Sequence, residues 1–133
     1  IGMWEKESDS TNNYQWCIEL KEIGIAIGSI GVVSLNEKVN SVEIGYCIGK
    51  KFWGQGITSE AFSALIDFFF EEIQVNRVES RHDSRNPASG RVMLKCGLIK
   101  EGVKRQADIN NSGICDALFY GILKDDFKRN IRP

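Results

Sequence analysis

The sequence predicts a single α+β domain, a central mixed and mostly antiparallel sheet flanked by helices. Three observations carry this. Its 133 residues are enough for one core and too few for two ordinary domains, so 1–133 is taken as one unit. Apolar residues alternate with a period of two in several stretches and switch to helical spacing in two others. The order of those stretches interleaves strands and helices, which a sheet covered by helices requires.

Residues 14–22, 25–35 and 42–48 read as strands, joined by turns at Ile23-Gly24 and 36–40. Such short connections favour an antiparallel meander. In the third strand Val42, Ile44, Tyr46 and Ile48 alternate with Ser41, Glu43, Gly45 and Cys47, which puts Glu43 and Cys47 on one face. Glu43 is then either a solvated strand residue or a carboxylate directed into a site. After the turn Trp53-Gly54-Gln55-Gly56, Ile57, Ala61, Leu65 and Phe68 recur at helical spacing, with Ala64 and Phe69 widening the stripe until Glu71-Glu72. The run Phe68-Phe69-Phe70 is core. Residues 75–81 form a strand. Asn86-Pro87 then opens a second helix, with Asn able to cap and Pro suited to the first turn, and Gly97 stops it. Residues 98–106 and 114–124 close the chain as strands around the turn-rich 108–113.

Composition excludes several functions. A net charge of −1 with mixed signs gives no basic stripe for nucleic acid, although Arg77, Arg81, Arg85 and Arg91 form a local cluster. Cys17, Cys47, Cys96 and Cys115 lie far apart in apolar runs, without a C-x-x-C pair for zinc or redox work, and read as buried thiols in a reducing compartment. No apolar run approaches the roughly 20 residues of a membrane helix, and the start has no signal-peptide pattern, so a cytoplasmic setting is expected. His82, the single histidine, has no second histidine to share a metal and is expected at the surface.

The glycine turn invites a phosphate-loop reading. Gly49 and Gly54 have the first spacing of a Walker loop, yet Gln55-Gly56 stands where Lys-Ser/Thr is needed, and Ser59 stands where a dinucleotide fingerprint needs its third glycine. What remains is general: a strand, a short glycine turn, and a helix N-terminus whose unpaired N–H groups suit an anion, or a turn with no ligand at all.

Several segments together resemble the GNAT N-acetyltransferases, in particular the branch of Rim-type enzymes that acetylate ribosomal-protein N-termini. The likeness runs through Glu43-Ile44-Gly45-Tyr46, Phe52-Trp53-Gly54-Gln55-Gly56-Ile57-Thr58-Ser59-Glu60-Ala61, Asn76-Arg77-Val78-Glu79, Asn86-Pro87-Ala88-Ser89 and Lys95-Cys96-Gly97-Leu98, and continues at Glu101-Gly102 and, more loosely, over 116–126. In the family's pyrophosphate motif, Arg/Gln-x-x-Gly-x-Gly/Ala, Trp53 takes the first position, Gly56 the glycine and Thr58 the last. Trp is usual in this branch, whereas Thr58 adds bulk. The resemblance also implies that the fold's first strand and helix are missing ahead of Ile1.

The resemblance implies acetyl-CoA as cosubstrate, no metal, and a primary amine as acceptor, a ribosomal-protein N-terminus among the candidates, with a homodimer as a compatible state. It assigns Tyr46, Cys47 and Ile48 to the pantetheine arm, Trp53, Gly54, Gln55, Gly56, Ile57, Thr58 and Ser59 to the pyrophosphate, and Asn86 to the pantetheine amides. Glu43 would take the amine's proton. Many members place the acid for the leaving thiolate where this chain has Met93, so Ser89, four residues earlier on the same helix face, is the candidate here. A CoA-binding module without catalysis is the alternative, and a generic α/β binding domain with structural glycines the third reading.

Overall fold

The structure, a computed structural model, describes residues 2–5, 14–21 and 24–129. Among them seven strands form one sheet: β1 (Gly2–Glu5), β2 (Gln15–Leu20), β3 (Ile25–Asn36), β4 (Ser41–Ile48), β5 (Arg77–Asp83), β6 (Ile99–Asn110) and β7 (Gly113–Leu123). Their order is β1-β2-β3-β4-β5-β7-β6. Helices α1 (Ile57–Phe68), α2 (Pro87–Lys95) and α3 (Lys124–Arg129) complete the fold. Neighbours pair antiparallel except β4 and β5, which are parallel. The mixed, mostly antiparallel sheet expected from the sequence is therefore present. Glu22 and Ile23, read as a strand end and its turn, lie outside the described residues.

The parallel pairing positions the site. It is confined to Ser41↔Arg77, Val42↔Val78 and Glu43↔Glu79. Beyond it β4 continues along β3 to Ile48, while β5 continues along β7 to Asp83. The sheet thus splits into two halves that share a short seam. Just past the seam the Ser80 hydroxyl donates to the Ile44 carbonyl at 2.6 Å, satisfying an acceptor that the parting strands leave behind.

Helix α1 buries Ile57, Ala61, Phe62, Leu65 and Ile66, and the chain continues through a π-helical turn, Phe69–Ile73, that buries Phe69 and Phe70. The apolar stripe is rotated from the expected one. At about 100° per residue, Phe62 and Ile66 fall inside the buried arc and Ala64 falls outside it, exposed. Phe68 and Phe69 meet Tyr14 and Trp16 edge-to-face, joining α1 to β2.

Other expectations change in detail. Strand β1 was not foreseen, nor was α3, which replaces the end of the last strand. The 108–113 segment is largely paired, with Asp108↔Cys115, Ile109↔Ile114 and Asn110↔Gly113 in register. Asn86 precedes α2 but makes no side-chain cap bond. His82 is buried, not exposed, because β5 alternates with Val78, Ser80 and His82 inward. None of the four cysteines is in a disulfide, and Cys47 is exposed while Cys96 and Cys115 are buried.

Candidate active site

The glycine turn begins where β4 ends. Trp53 Nε1 donates to the Ile48 carbonyl at 2.9 Å, anchoring the turn to the strand. Gly54 and Gly56 follow with φ of 75° and 77°. No protein atom lies within 4 Å of a Cβ built on either, so their conformation, not crowding, demands glycine. Gly56 is also the N-cap of α1, and no side chain caps that helix. Its first-turn N–H groups are therefore left uncapped by any side chain, at the positive end of the helix dipole.

A cleft of about 220 Å³ lies over this terminus, lined by Gly54, Gly56, Ile57, Thr58 and Ser59 from the turn and by Arg91 and Lys95 from α2. Arg91 and Lys95 are four apart on one helix face, so both cations border the same space. Uncapped N–H groups, two positive-φ glycines and two cations make a site suited to a polyanion. The Gln55 side chain takes no part: its Nε2 donates to the Lys51 carbonyl at 3.2 Å.

A second cleft, about 230 Å³, shares Gly54, Thr58, Ala88 and Val92 with the first and runs along Tyr46, Cys47 and Ile48 to Asn86 and Ser89. Here the side of β4 that faced β5 has lost its strand partner, leaving an edge on which an extended ligand could form main-chain hydrogen bonds. Because Asn86 does not cap α2, its amide is not committed to the helix.

A third cleft, about 330 Å³, opens from the far side of the split and contains Glu43, Ser80, Arg81, His82, Asp83 and Asp108. Tyr46, Asn86 and Ser89 line it as well as the second cleft, so the two meet at these three residues. Tyr46 spans the gap. Its ring packs edge-to-face on Phe62, with centroids 5.6 Å apart, and its hydroxyl donates to the Ser89 main-chain carbonyl at 3.4 Å. Burial pushes the Tyr46 phenol up, and a hydrogen bond with the Ser89 side chain partly offsets it.

Glu43 is half-buried, and burial lifts its pKa above the ordinary carboxylate range. Arg81, whose Nε is 3.2 Å from Glu43 Oε2, opposes that rise, while Glu79 and Asp108 add to it. His82 is engaged at both ring nitrogens: Nδ1 lies 2.6 Å from the Asp83 carbonyl and Nε2 lies 3.4 Å from the Tyr120 hydroxyl. The carbonyl can only accept, so the proton of a neutral ring sits on Nδ1. Met93, at the helix position discussed above, is fully buried and lines none of these clefts. Among the described residues no three His, Cys, Asp or Glu side chains gather as metal ligands do.

Gln55 apart, the residues singled out from the sequence thus fall along one continuous path, with Glu43 at one end, the glycine turn at the other and Ser89 at the junction. Arg91, Lys95, Arg81 and Asp108 were missed as parts of it. The i,i+4 spacing of Arg91 and Lys95 beside a glycine turn could have shown the first two. Arg81 and Asp108 meet Glu43 only through pairing between distant strands.

Comparison with known proteins agrees with this geometry. The family model for an acetyltransferase (GNAT) domain matches residues 1–99. The chain is 36% identical over 110 residues to an uncharacterized N-acetyltransferase, YoaA, of Bacillus subtilis, covering 83% of this chain and 62% of YoaA. It is 36% identical over 99 residues to the ribosomal-protein-serine acetyltransferase of Escherichia coli, covering 72% and 55%. A crystal structure described as a probable acetyltransferase superposes with a TM-score of 0.80 at 31% identity, over 87% of this chain and 64% of that one. The chain spans between 57% and 64% of the length of the first three curated relatives it matches. On the match to residues 1–99, with the split sheet and glycine turn as its structural counterpart, the chain belongs to the GNAT family of acetyltransferases.

Proposed function

We propose that the protein is an N-acetyltransferase that moves an acetyl group from acetyl-CoA to a primary amine by direct attack within a ternary complex. The observation that carries this is the meeting of two clefts at Tyr46, Asn86 and Ser89, one leading to the uncapped terminus of α1 and the other holding Glu43. Acetyl-CoA supplies an acyl group activated by a thiolate leaving group. The cradle of main-chain N–H groups at 54–59, with Arg91 and Lys95 beside it, would hold the pyrophosphate. Tyr46, Cys47 and Ile48 would line the pantetheine arm, and Asn86 would bind its amides.

The residues then divide the work. Glu43 takes the amine's proton, directly or through a water. A main-chain N–H of the unpaired β4 edge donates to the acyl oxygen as charge builds there, a contribution of about 3 kcal/mol for a positioned donor. Ser89 donates a hydrogen bond to the departing sulfur. As acceptor we infer a protein N-terminus, a ribosomal protein's among the candidates, or a small amine. The cytoplasm, where four thiols outside any disulfide stay reduced, is the setting that fits.

The test is free-thiol release from acetyl-CoA with a panel of ribosomal-protein N-terminal peptides, spermidine and free amino acids, with the acetylated product identified by mass. Release that depends on one acceptor class is expected. Thr58 beside the cradle and the buried Met93 favour one competing reading, a CoA-binding module without catalysis. Tight binding of acetyl-CoA with no release from any amine would select it, and absence of binding would overturn both.

A further inference from the structure

We propose that Arg81 is a positioning residue for Glu43, holding its carboxylate ionised and in place at the acceptor cleft. This rests on reading Glu43 as the group that takes the amine's proton. Glu43 is the last β4 residue paired to β5, opposite Glu79, and Arg81 lies two residues past Glu79, where the strands have parted. Its guanidinium crosses the split to reach Glu43 Oε2 at 3.2 Å through Nε. The contact is made to one carboxylate oxygen, Oε2. A base held in this way keeps one oxygen for the incoming proton.

Arg81 is itself held by its own half of the sheet. Its Nε stands 3.8 Å from Asp108 of β6, and its guanidinium lies over the Phe119 ring of β7, 5.8 Å from the centroid. Lys104, the other cation near Glu43, is drawn to the same ring at 4.8 Å and does not pair with Glu43. The charged groups acting on Glu43 are thus Arg81 and Glu79 from β5 with Lys104 and Asp108 from β6, and His82 and Asp83 share its cleft. Two of the four are acidic and, with burial, favour the protonated form, in which Glu43 could accept nothing. Arg81 is the strongest influence in the other direction.

The experiment uses the full-length protein with Arg81→Gln, Arg81→Lys, Glu43→Gln and the Arg81→Gln/Glu43→Gln double variant. It measures kcat/KM against pH with the most active amine of the panel, and acetyl-CoA affinity by calorimetry. For Arg81→Gln the acidic limb should move up by about one pH unit, the low end for loss of a neighbouring opposite charge. The rate on that limb should then fall about tenfold while acetyl-CoA affinity holds. Arg81→Lys should recover part of the shift. In the Glu43→Gln background Arg81→Gln should add little, since its effect passes through the carboxylate. An unmoved limb in Arg81→Gln, or full additivity in the double variant, overturns the proposal while Glu43 stands. If Glu43→Gln keeps the wild-type rate and limb, the reading of Glu43 itself fails and takes this one with it. A 13C titration of the Glu43 side chain, assigned by its loss in Glu43→Gln, decides independently of any acceptor or of a poorly folding Arg81→Gln. An upward midpoint shift in either Arg81 variant supports the proposal, and an unchanged midpoint in both overturns it.

Discussion

Replacing Gly56 by Val separates two consequences that the structure allows to be measured apart. Gly56 has φ 77° and ψ 0°, a left-handed conformation that a β-branched residue resists. Apart from its chain neighbours, no atom stands within 4 Å of the added Cβ, so the penalty to folding is chiefly backbone strain, about 1–3 kcal/mol. For a domain of this size that is a fall in Tm of roughly 3–15 °C. Gly24 supplies the control. It has φ 64° and equally open surroundings, but lies in the β2–β3 turn and lines none of the site clefts.

Gly24→Val should therefore lose similar stability and nothing else. Gly56→Val, by contrast, places a branched side chain at the mouth of the cradle and displaces the first-turn N–H groups. Losing two charge-assisted hydrogen bonds to a pyrophosphate, each about 1.5–3 kcal/mol, weakens acetyl-CoA binding by about 10²- to 10⁴-fold. Thermal melts and titration calorimetry of both variants provide the assay. Equal acetyl-CoA affinity in Gly56→Val and wild type, with the fold intact, would refute the assignment of this turn to the pyrophosphate.

Three further outcomes are expected. Glu43→Gln should lower the rate most at low pH, where the amine is mostly protonated, and recover in part as pH rises, whereas Ser89→Ala should slow transfer by about 10²- to 10⁴-fold with little recovery; parallel pH–rate profiles would mean that one role is misassigned. Because Glu43 binds its proton more tightly folded than unfolded, it should make stability fall as pH rises from about 4.5 through its raised native pKa; Glu43→Gln should remove that fall, visible as a higher Tm at pH 7 but not at pH 4. Gly90→Ala would bring a Cβ to 2.8 Å from His82 Nε2 and 2.9 Å from the Tyr120 hydroxyl, so α2 or these side chains must shift at about 1–3 kcal/mol; thermal melts should show that loss, and kcat should drop through the neighbouring Ser89.

Local patterns made much of this fold legible. The period-two alternation of β4 separated Glu43 from the core-facing Val42 and Ile44, and the 3.6-residue period marked α1. The glycine turn stood out because two positive-φ residues between a strand and a helix leave few alternatives to glycine. Strand β1 escaped notice because four edge residues carry no measurable period. Helix α3 escaped because its start abuts β7, although Asp126 accepts from the Leu123 N–H at 3.2 Å and Asp125-Asp126 is a signal for a helix start. His82 could have been placed inside by extending the alternation of Val78 and Ser80 along β5. The split between β4 and β5 had no local signature. It depends on where two strands more than thirty residues apart stop pairing, and Arg81, Asp108 and the cleft around Glu43 follow from it.

That split also bears on how acetyl transfer would proceed. A covalent relay needs a nucleophile reachable from both the cofactor and the acceptor sides, together with a base to activate it. Cys47 is exposed in the cofactor cleft but does not line the acceptor cleft, so an acetyl group placed on it would face away from the amine. Ser89 does face both, yet His82, the single histidine, makes its hydrogen-bond contacts to the Asp83 carbonyl and the Tyr120 hydroxyl and not to Ser89, so no Ser–His pair is formed. Glu43 lies in the acceptor cleft and not in the cofactor cleft, where it can reach an incoming amine more readily than a protein nucleophile beside the thioester. The arrangement favours an amine that enters past Glu43 and attacks at the junction, with Ser89 answering the charge on the sulfur at the opposite side.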